Sequence, residues 1–152
     1  MQATGAEVKG LIQRVNRASV TVDGDVVGSI ARGILLLVGV ERDDTTESLH
    51  KMIHKLLNYR IFPDADDKMN LSVTDINGGI LVVSQFTLAA DTRKGLRPGF
   101  STAAAPELAE QHYNQFVKIL RERHQTVATG VFAANMQIEL VNDGPVTFLL
   151  ET

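Results

Sequence analysis

The residues best suited to chemistry in this chain lie in one short segment, Ser84-Gln85-Phe86-Thr87. The segment continues an apolar pattern that predicts a strand over residues 80–88, in which Gln85 and Thr87 would share a face. A threonine hydroxyl becomes a nucleophile when a neighbouring base takes its proton, but no His, Lys, Asp or Glu lies within this strand. The alternative interpretation is that Ser84 and Thr87 only satisfy local backbone groups.

A second polar segment, residues 142–147, separates two apolar patterns that predict strands over residues 136–141 and 146–150. Pro145 cannot donate a ladder hydrogen bond, and Gly144 extends the backbone without a side chain. We therefore expect this pair to break the ladder, at the only common kind of position for a cis peptide bond. Taken alone, a Gly-Pro pair is also typical of an ordinary turn.

Together the two segments resemble the D-aminoacyl-tRNA deacylase family. Further landmarks of that family follow in the family's order, at residues 11–15, 18–20, 60–62, 68–71 and 91–95. The resemblance covers residues 8–152, which we expect to form one domain, and residues 1–7 are expected to form a disordered extension. A length of 152 residues with 44% hydrophobic residues suits a single domain with a sizeable core.

The resemblance implies an enzyme that hydrolyses the ester bond between a D-amino acid and the 3′-terminal ribose of tRNA. Main-chain N–H groups would stabilise the oxyanion, and the ribose 2′-hydroxyl would assist, so Thr87 is not expected to be a covalent nucleophile. The residues assigned to the catalytic site are Ser84, Gln85, Phe86 and Thr87. Such an enzyme would proofread chirality in translation, in the cytoplasm.

The same resemblance implies a chirality gate at the Gly144-Pro145 pair. Carbonyl oxygens of a cis Gly-Pro peptide would project into the partner subunit's pocket and occupy the space that an L side chain needs. Because glycine has no side chain, mischarged glycyl-tRNA is an expected second substrate. The residues assigned to the gate and to substrate binding are Asn142, Gly144, Pro145, Val146, Thr147, Phe132, Ala134 and Met136.

Two positions depart from the usual pattern of the family. Ala133 stands where the family has glycine, so its methyl group would narrow the pocket or alter a turn. Ala89 stands where an aromatic residue is common, which affects a packing contact and not the reaction.

A loop over residues 90–105 carries three cations directly after the candidate catalytic strand. Arg93, Lys94 and Arg97 are candidate contacts to RNA phosphates, and the alternative interpretation is a solvated loop. The formal net charge of the chain is −3, so there is no global basic signature for nucleic acid. Any contact with RNA must therefore come from a local patch of this kind.

The sequence implies neither a metal nor a cofactor. The absence of cysteine excludes disulfides, thiolate nucleophiles and cysteine-based zinc sites. His50 and His54 have the i, i+4 spacing of a metal-binding helix, but Lys51 replaces the glutamate of the His-Glu-x-x-His motif and no third ligand is evident. We also find no phosphate-binding glycine loop, dinucleotide fingerprint or apolar signal segment.

The order of the predicted elements favours antiparallel sheets with helices packed on one side. Strands are predicted at residues 9–15, 18–22, 26–30 and 33–40, with a two-residue hairpin turn at Asp23-Gly24. A cluster of N-cap residues at 43–46 predicts the start of a helix that ends near residue 59, and a second helix begins at Pro106. The resemblance implies an α/β fold, a three-layer β/β/α sandwich of mainly antiparallel, barrel-like sheets with two helices on one side. It also implies a symmetric homodimer with its active site at the subunit interface. A function of another class, a non-catalytic nucleic-acid-binding module on the same scaffold, is the alternative.

Overall fold

The computed structural model describes residues 7–152, so most of the expected N-terminal extension, residues 1–6, lies outside the described residues. The strands are β1 (Lys9–Val22), β2 (Asp25–Ile30), β3 (Gly33–Gly39), β4 (Phe62–Pro63), β5 (Met69–Leu71), β6 (Gly79–Ser84), β7 (Val127–Thr129) and β8 (Gln137–Glu151). The helices are α1 (Thr46–Asn58) and α2 (Pro106–Arg123), and a 3-10 turn covers Phe86–Ala89.

One six-stranded sheet organises the fold, with β2, β1, β3, β6 and β7 in spatial order and β8 paired along β1. Strand β1 is antiparallel to β2, β3 and β8, whereas the pairs β3-β6 and β6-β7 are parallel. The sheet curls until β2 approaches β7, so closely that a Cβ atom on Gly28 would lie 2.3 Å from the carbonyl oxygen of Thr129. This confirms the expected α/β fold with a barrel-like, mainly antiparallel sheet, although one curled sheet supplies the β layers.

The curled sheet divides the apolar interior into two cores because successive side chains of a strand point to opposite faces. In β3, Ile34 and Leu36 pack with α1 and α2, whereas Leu35 lies inside the barrel. In β6, Val82 faces the helices and Val83 faces the barrel interior. Both faces of these two central strands are therefore buried, which explains their continuous apolar sequences.

The predicted strand over residues 80–88 was wrong beyond Ser84, where β6 ends and the 3-10 turn begins. The neighbouring strand β3 ends at Gly39, so β6 has no backbone left to pair with after Gln85 N donates to Val38 O at 2.8 Å. The missing side chain of Gly39 leaves room for the turn, since a Cβ atom there would lie 2.9 Å from Leu88 Cβ. Residues 9–15 and 18–22, predicted as two strands, form the single strand β1.

Local sequence signals account for the hairpin and for the first turns of both helices. Asp23 and Gly24 adopt φ values of 50° and 84°, as a two-residue hairpin turn between β1 and β2 requires. Thr45 caps α1 by accepting a hydrogen bond from Ser48 N, and Ser48 Oγ accepts one from Thr45 N. Pro106 occupies the first turn of α2 as predicted. Neither helix of the described part of the chain is long and apolar enough to cross a bilayer.

Candidate active site

A cleft of about 450 Å³ opens where β6 ends. Ser84, Gln85 and Phe86 form one wall of this cleft, and the segment over residues 132–136 forms the wall opposite. The first turn of α2 closes it with Pro106. Two segments that were assigned to the site from the sequence, about 50 residues apart, thus meet in one cavity large enough for an amino-acid side chain.

The 3-10 turn begins at the cleft with Phe86, whereas Thr87, the next residue, is not among those that line it. The N–H groups that open such a turn, here those of Phe86 and Thr87, have no partner within it. Gln85 at the N-cap offers them no side-chain hydrogen bond. Instead Gln85 Nε2 donates to Thr87 Oγ1, which brings these two side chains together even though they do not share a strand face. Two backbone N–H groups thus have no backbone acceptor among the described residues.

The wall opposite is held by aromatic packing. Phe132 lies 5.8 Å, centroid to centroid, from the ring of Tyr113 on α2. Tyr113 OH donates to Val82 O at 3.2 Å, and burial raises the pKa of this phenol to about 12. Tyr113 is therefore a neutral support for Phe132. Ala134 and Met136, also assigned to the site, line the cleft beside Phe132 and are half-buried.

None of the described residues that line the cleft carries a titratable side chain. The described lining therefore holds no side chain that could act as a general base.

The departures from the family pattern occupy two different environments. Ala133 has a φ of 65°, in the left-handed region that favours glycine, and it lines the cleft. Ala89 is only 3% exposed and lies in the 3-10 turn, so an aromatic side chain there would have to enter the interior.

The segment over residues 142–147 loops out of β8, as the Gly144-Pro145 pair predicted. In the ladder Val15 pairs with Asn142 and Gln13 with Thr147, so residues 143–146 oppose Arg14 alone. Asn142 closes the loop, because its Oδ1 accepts from Val146 N at 2.7 Å and its Nδ2 donates to Thr147 Oγ1 at 3.0 Å. Val146 anchors it in the helix-side core at 6% exposure.

At the tip of this loop, Gly144 and Pro145 are exposed, and the peptide bond between them is cis. Arg14 braces the loop from β1: its Nε donates to Asp143 O at 2.9 Å and its Nη1 donates to Ile61 O at 2.7 Å. Sequence reasoning missed Arg14 as a site residue. The signal was a lone cation inside the apolar strand pattern of residues 11–15.

Within one chain, the loop and the cleft are separate. Gly144 and Pro145 are not among the residues that line the cleft. Arg14 pairs with Ile34, whereas Ser84 pairs with Val38. These two positions on β3 are four residues apart, or about 13 Å along the strand.

The cations of the loop after the 3-10 turn differ in their surroundings. Arg93 donates to both carboxylate oxygens of Asp91 at 3.0 Å, and this hydrogen bonding lowers the pKa of Asp91 to about 2. Lys94 and Arg97 are exposed and form no ion pair within residues 7–152. Arg93 thus serves to shape the loop, while Lys94 and Arg97 remain available to an anion.

Two other surface features lie away from the cleft. His50 and His54 are exposed on α1, and no group of three or more His, Cys, Asp or Glu residues within residues 7–152 is placed to hold a metal ion. A larger groove of about 640 Å³ beside α2 shares Phe132 with the cleft. It carries both acidic and basic side chains and holds none of the residues that the sequence assigned to catalysis.

Comparison with known proteins identifies the family. The sequence profile of the D-Tyr-tRNA(Tyr) deacylase family matches residues 11–151. The D-aminoacyl-tRNA deacylase of Cellvibrio japonicus (strain Ueda107) is 64% identical over 142 residues, which span 93% of this chain and 97% of that protein. The protein of the same name from Pseudomonas fluorescens (strain Pf0-1) is 60% identical over 145 residues, which span 95% of this chain and 100% of that protein.

Solved structures share the fold. The c-Myc DNA Unwinding Element Binding Protein has a TM-score of 0.91 at 44% identity, over 95% of this chain and 98% of that chain. A probable eukaryotic D-amino acid tRNA deacylase has a TM-score of 0.82 at 19% identity, over 96% of this chain and 100% of that chain. At this identity the likeness shows the fold alone. The profile match and the close relatives confirm the resemblance seen in the sequence, and the chain belongs to the D-aminoacyl-tRNA deacylase family of hydrolases.

Proposed function

We propose that this protein hydrolyses the ester bond of D-aminoacyl-tRNA to release the free D-amino acid and tRNA. In this role it would act in the cytoplasm, as a chirality proofreading step of translation. The observation that carries the proposal is the meeting of the Ser84-Gln85-Phe86 wall with the wall formed by residues 132–136 in one mainly apolar cleft. Family membership supports the same reaction.

Hydrolysis in this cleft depends on the main chain. An aminoacyl ester is already activated, so its hydrolysis needs mainly a placed water and a stabilised oxyanion. The N–H groups of Phe86 and Thr87 would donate to the oxyanion, each worth roughly 3 kcal/mol in the transition state. Because the described lining has no titratable side chain, the proton transfer would use the neighbouring ribose 2′-hydroxyl of the substrate.

Selectivity against L-aminoacyl-tRNA is assigned to the loop over residues 142–147. The loop is closed by Asn142, anchored by Val146 and braced by Arg14, so its main-chain carbonyl groups are held in place. Rejection would work by a clash with an L side chain rather than by attraction to a D side chain. Glycine would pass such a gate, so mischarged glycyl-tRNA is the second substrate of the proposal.

The gate would act in the cleft of a second copy of the chain. Gly144 and Pro145 are exposed and lie far from the cleft of their own chain, as the pairing along β3 indicates. Directly after the loop, the same strand β8 leaves Phe148 and Leu149 exposed at 37% and 51%, an apolar edge that suits a homodimer. The proposed enzyme is therefore a symmetric homodimer with its active sites at the interface.

The first experiment compares the release of amino acid from D- and L-tyrosyl-tRNA by the purified protein, with glycyl-tRNA as a third substrate. We expect rapid release from the D-ester and from the glycyl ester and little from the L-ester. Equal rates on the D- and L-esters would exclude the chirality gate, and no release from any ester would exclude the enzyme.

Mixed dimers test whether the gate acts across subunits. One chain carries Met136→Arg, which blocks the cleft, and its partner carries Pro145→Ala, which removes the ring that restricts the backbone of the gate. The only open cleft then faces the intact gate of the blocked chain, so we expect D-selectivity to be retained. The Pro145→Ala homodimer should hydrolyse the L-ester. If the mixed dimer hydrolysed the L-ester as fast per open cleft as the Pro145→Ala homodimer, the gate would lie in the same chain as the cleft.

A second candidate function is a nucleic-acid-binding module without turnover. It is favoured by one observation, the name of the c-Myc DNA Unwinding Element Binding Protein, which shares this fold at 44% identity. Binding of tRNA or DNA with no hydrolysis of D-tyrosyl-tRNA would support this candidate over the enzyme.

A further inference from the structure

Two phenylalanine rings lie exposed beside the mouth of the cleft. Phe86 is 60% exposed and Phe100 is 39% exposed. Their ring centroids are 5.3 Å apart and their planes are tilted by 41°, so neither ring covers the face of the other. A paired aromatic surface that a protein leaves in water is characteristic of a binding site.

The fold holds this pair in a defined place. Phe86 lines the cleft directly after Gln85. Phe100 follows a small hairpin in which Asp91 and Gly99 exchange two backbone hydrogen bonds of 2.7 and 3.0 Å. The chain just beyond Phe100 is tied down, since Arg42 N donates to Thr102 O at 3.0 Å. The aromatic pair is therefore fixed at the cleft and is not carried on a loose loop end.

The positive charge of the hairpin that leads to Phe100 favours an anionic ligand. Lys94 and Arg97 lie in the hairpin that precedes Phe100, are exposed and have no ion-pair partner within the described residues. Arg93 is engaged by Asp91 and does not add to them. Aromatic rings next to unpaired cations are the combination by which proteins bind single-stranded nucleic acid, with bases on the rings and phosphates on the cations.

We infer that Phe86 and Phe100 form a stacking platform for the unpaired 3′-terminal nucleotides of the substrate RNA, with Lys94 and Arg97 contacting the adjoining phosphates. This inference rests on the proposed ester substrate. An amino acid in the cleft is joined to the terminal ribose, so the terminal base must lie at the cleft mouth, where the two rings are. Stacking accepts any base and any tRNA body, which suits an enzyme that must act on many tRNAs sharing one 3′ end.

The test measures binding of uncharged tRNA, with and without its terminal adenosine, by fluorescence anisotropy. The variants are Phe100→Ala, Phe100→Leu and Phe100→Trp, with Leu96→Ala as the matched control, because Leu96 is a fully exposed apolar side chain on the same hairpin. Loss of one stacked base should weaken binding roughly 5- to 140-fold. We expect this loss for the alanine and leucine variants, near-normal binding for tryptophan and no change for the control.

The terminal adenosine and Phe100 should be coupled. Removal of that nucleotide should weaken binding to the wild type but have little further effect on Phe100→Ala. Replacement of Lys94 or Arg97 by alanine should lower the slope of log affinity against log salt by roughly 0.7 each. Fully additive losses from the nucleotide and the ring, or unchanged binding by Phe100→Ala, would overturn the platform.

Sedimentation of the same variants distinguishes the stacking platform from a contact between subunits. If Phe100→Ala dissociates the copies of the chain while each still binds tRNA normally, the rings form a subunit contact and the platform is wrong. If the wild type releases no D-amino acid yet the coupling is found, the proposed reaction fails and the platform stands. If release is normal and Phe100→Ala leaves the KM for D-tyrosyl-tRNA unchanged, the platform fails and the reaction stands.

Discussion

Arg14 Nε lies 2.9 Å from the carbonyl oxygen of Asp143, and it connects the strand β1 to the loop that carries Gly144 and Pro145. The same guanidinium donates to Ile61 O at 2.7 Å, and its side chain is only 12% exposed. Arg14 is the one residue of β1 that opposes the whole looped-out segment over residues 143–146. A planar group with donors in fixed directions suits this double contact, and a lysine ammonium does not.

Replacement of Arg14 should therefore affect both stability and selectivity. Arg14→Ala leaves two partly buried carbonyl oxygens without their charged donor, which should lower the free energy of unfolding by about 2–3 kcal/mol. The freed loop should also allow hydrolysis of L-tyrosyl-tRNA. Arg14→Lys should restore little of the stability or the selectivity, because an ammonium group does not suit the double contact. Urea denaturation and D- and L-ester hydrolysis measure the two effects. Arg17→Ala, on the exposed part of the same strand, is the control. Unchanged selectivity in Arg14→Ala would show that the brace has no part in the gate.

Thr87 is expected to assist the reaction without forming a bond to the substrate. Its Oγ1 accepts a hydrogen bond from Gln85 Nε2, and no base lies among the described residues that line the cleft. Thr87→Ala should lower kcat roughly 2- to 12-fold, the worth of one hydrogen bond. Thr87→Ser should retain most of the rate. Rapid-quench kinetics with mass spectrometry would contradict this if an acyl group were trapped on wild-type Thr87.

Ala133 should be a site where glycine stabilises the fold. Its φ of 65° costs an alanine about 1–2 kcal/mol, whereas glycine adopts that region freely. Glycine also makes the unfolded chain more flexible, which lowers the free energy of unfolding by about 0.4–1 kcal/mol. Because the relief of backbone strain is the larger effect, Ala133→Gly should raise the free energy of unfolding by roughly 0.5–1 kcal/mol. Denaturation measures the change, with Ala134→Gly as the neighbouring control that should destabilise. A lower stability for Ala133→Gly would mean that the left-handed conformation is not kept in solution.

Asp91 should titrate far below an ordinary aspartate. Hydrogen bonds from the side chain and backbone of Arg93 stabilise its charged form and lower its pKa to about 2 from the usual value of 3.8. Because the folded-state pKa is depressed, the contribution of this pair is present above pH 3.8 and is lost as the pH falls towards 2. Carboxyl carbon NMR can follow the titration, and Arg93→Ala should move the pKa upwards. An Asp91 pKa near 3.8 in the wild type would contradict the pairing of these two side chains.

Local sequence patterns predicted the elements whose geometry depends on near neighbours. Asp23-Gly24 predicted the hairpin between β1 and β2 because few residue pairs accept positive φ values at both positions. The cluster around Thr45 predicted the start of α1, and the Gly144-Pro145 pair predicted the break in β8. Each of these signals acts within about four residues, so the rest of the chain is not needed to read it.

The strand pattern failed at Gln85 for a reason that no local pattern contains. Whether β6 continues depends on whether its neighbour β3, more than 40 positions earlier in the chain, still offers backbone to pair with. Strand β3 ends at Gly39, and the apolar pattern after Ser84 then folds into a 3-10 turn. Arg14 was missed for the same kind of reason, since its partner Asp143 is 129 residues away.

The sequence alone singled out the segments over residues 84–87, 132–136 and 142–147 as a candidate site, because their residue types and order resemble those of the family. Tertiary structure decided how they are distributed. Pairing across β1, β3 and β6 brings the first two segments into one cleft and carries the third to a separate, exposed loop. That division depends on the register of strands distant in sequence, and register is set by the packing of the whole curled sheet and not by the residues of any one strand.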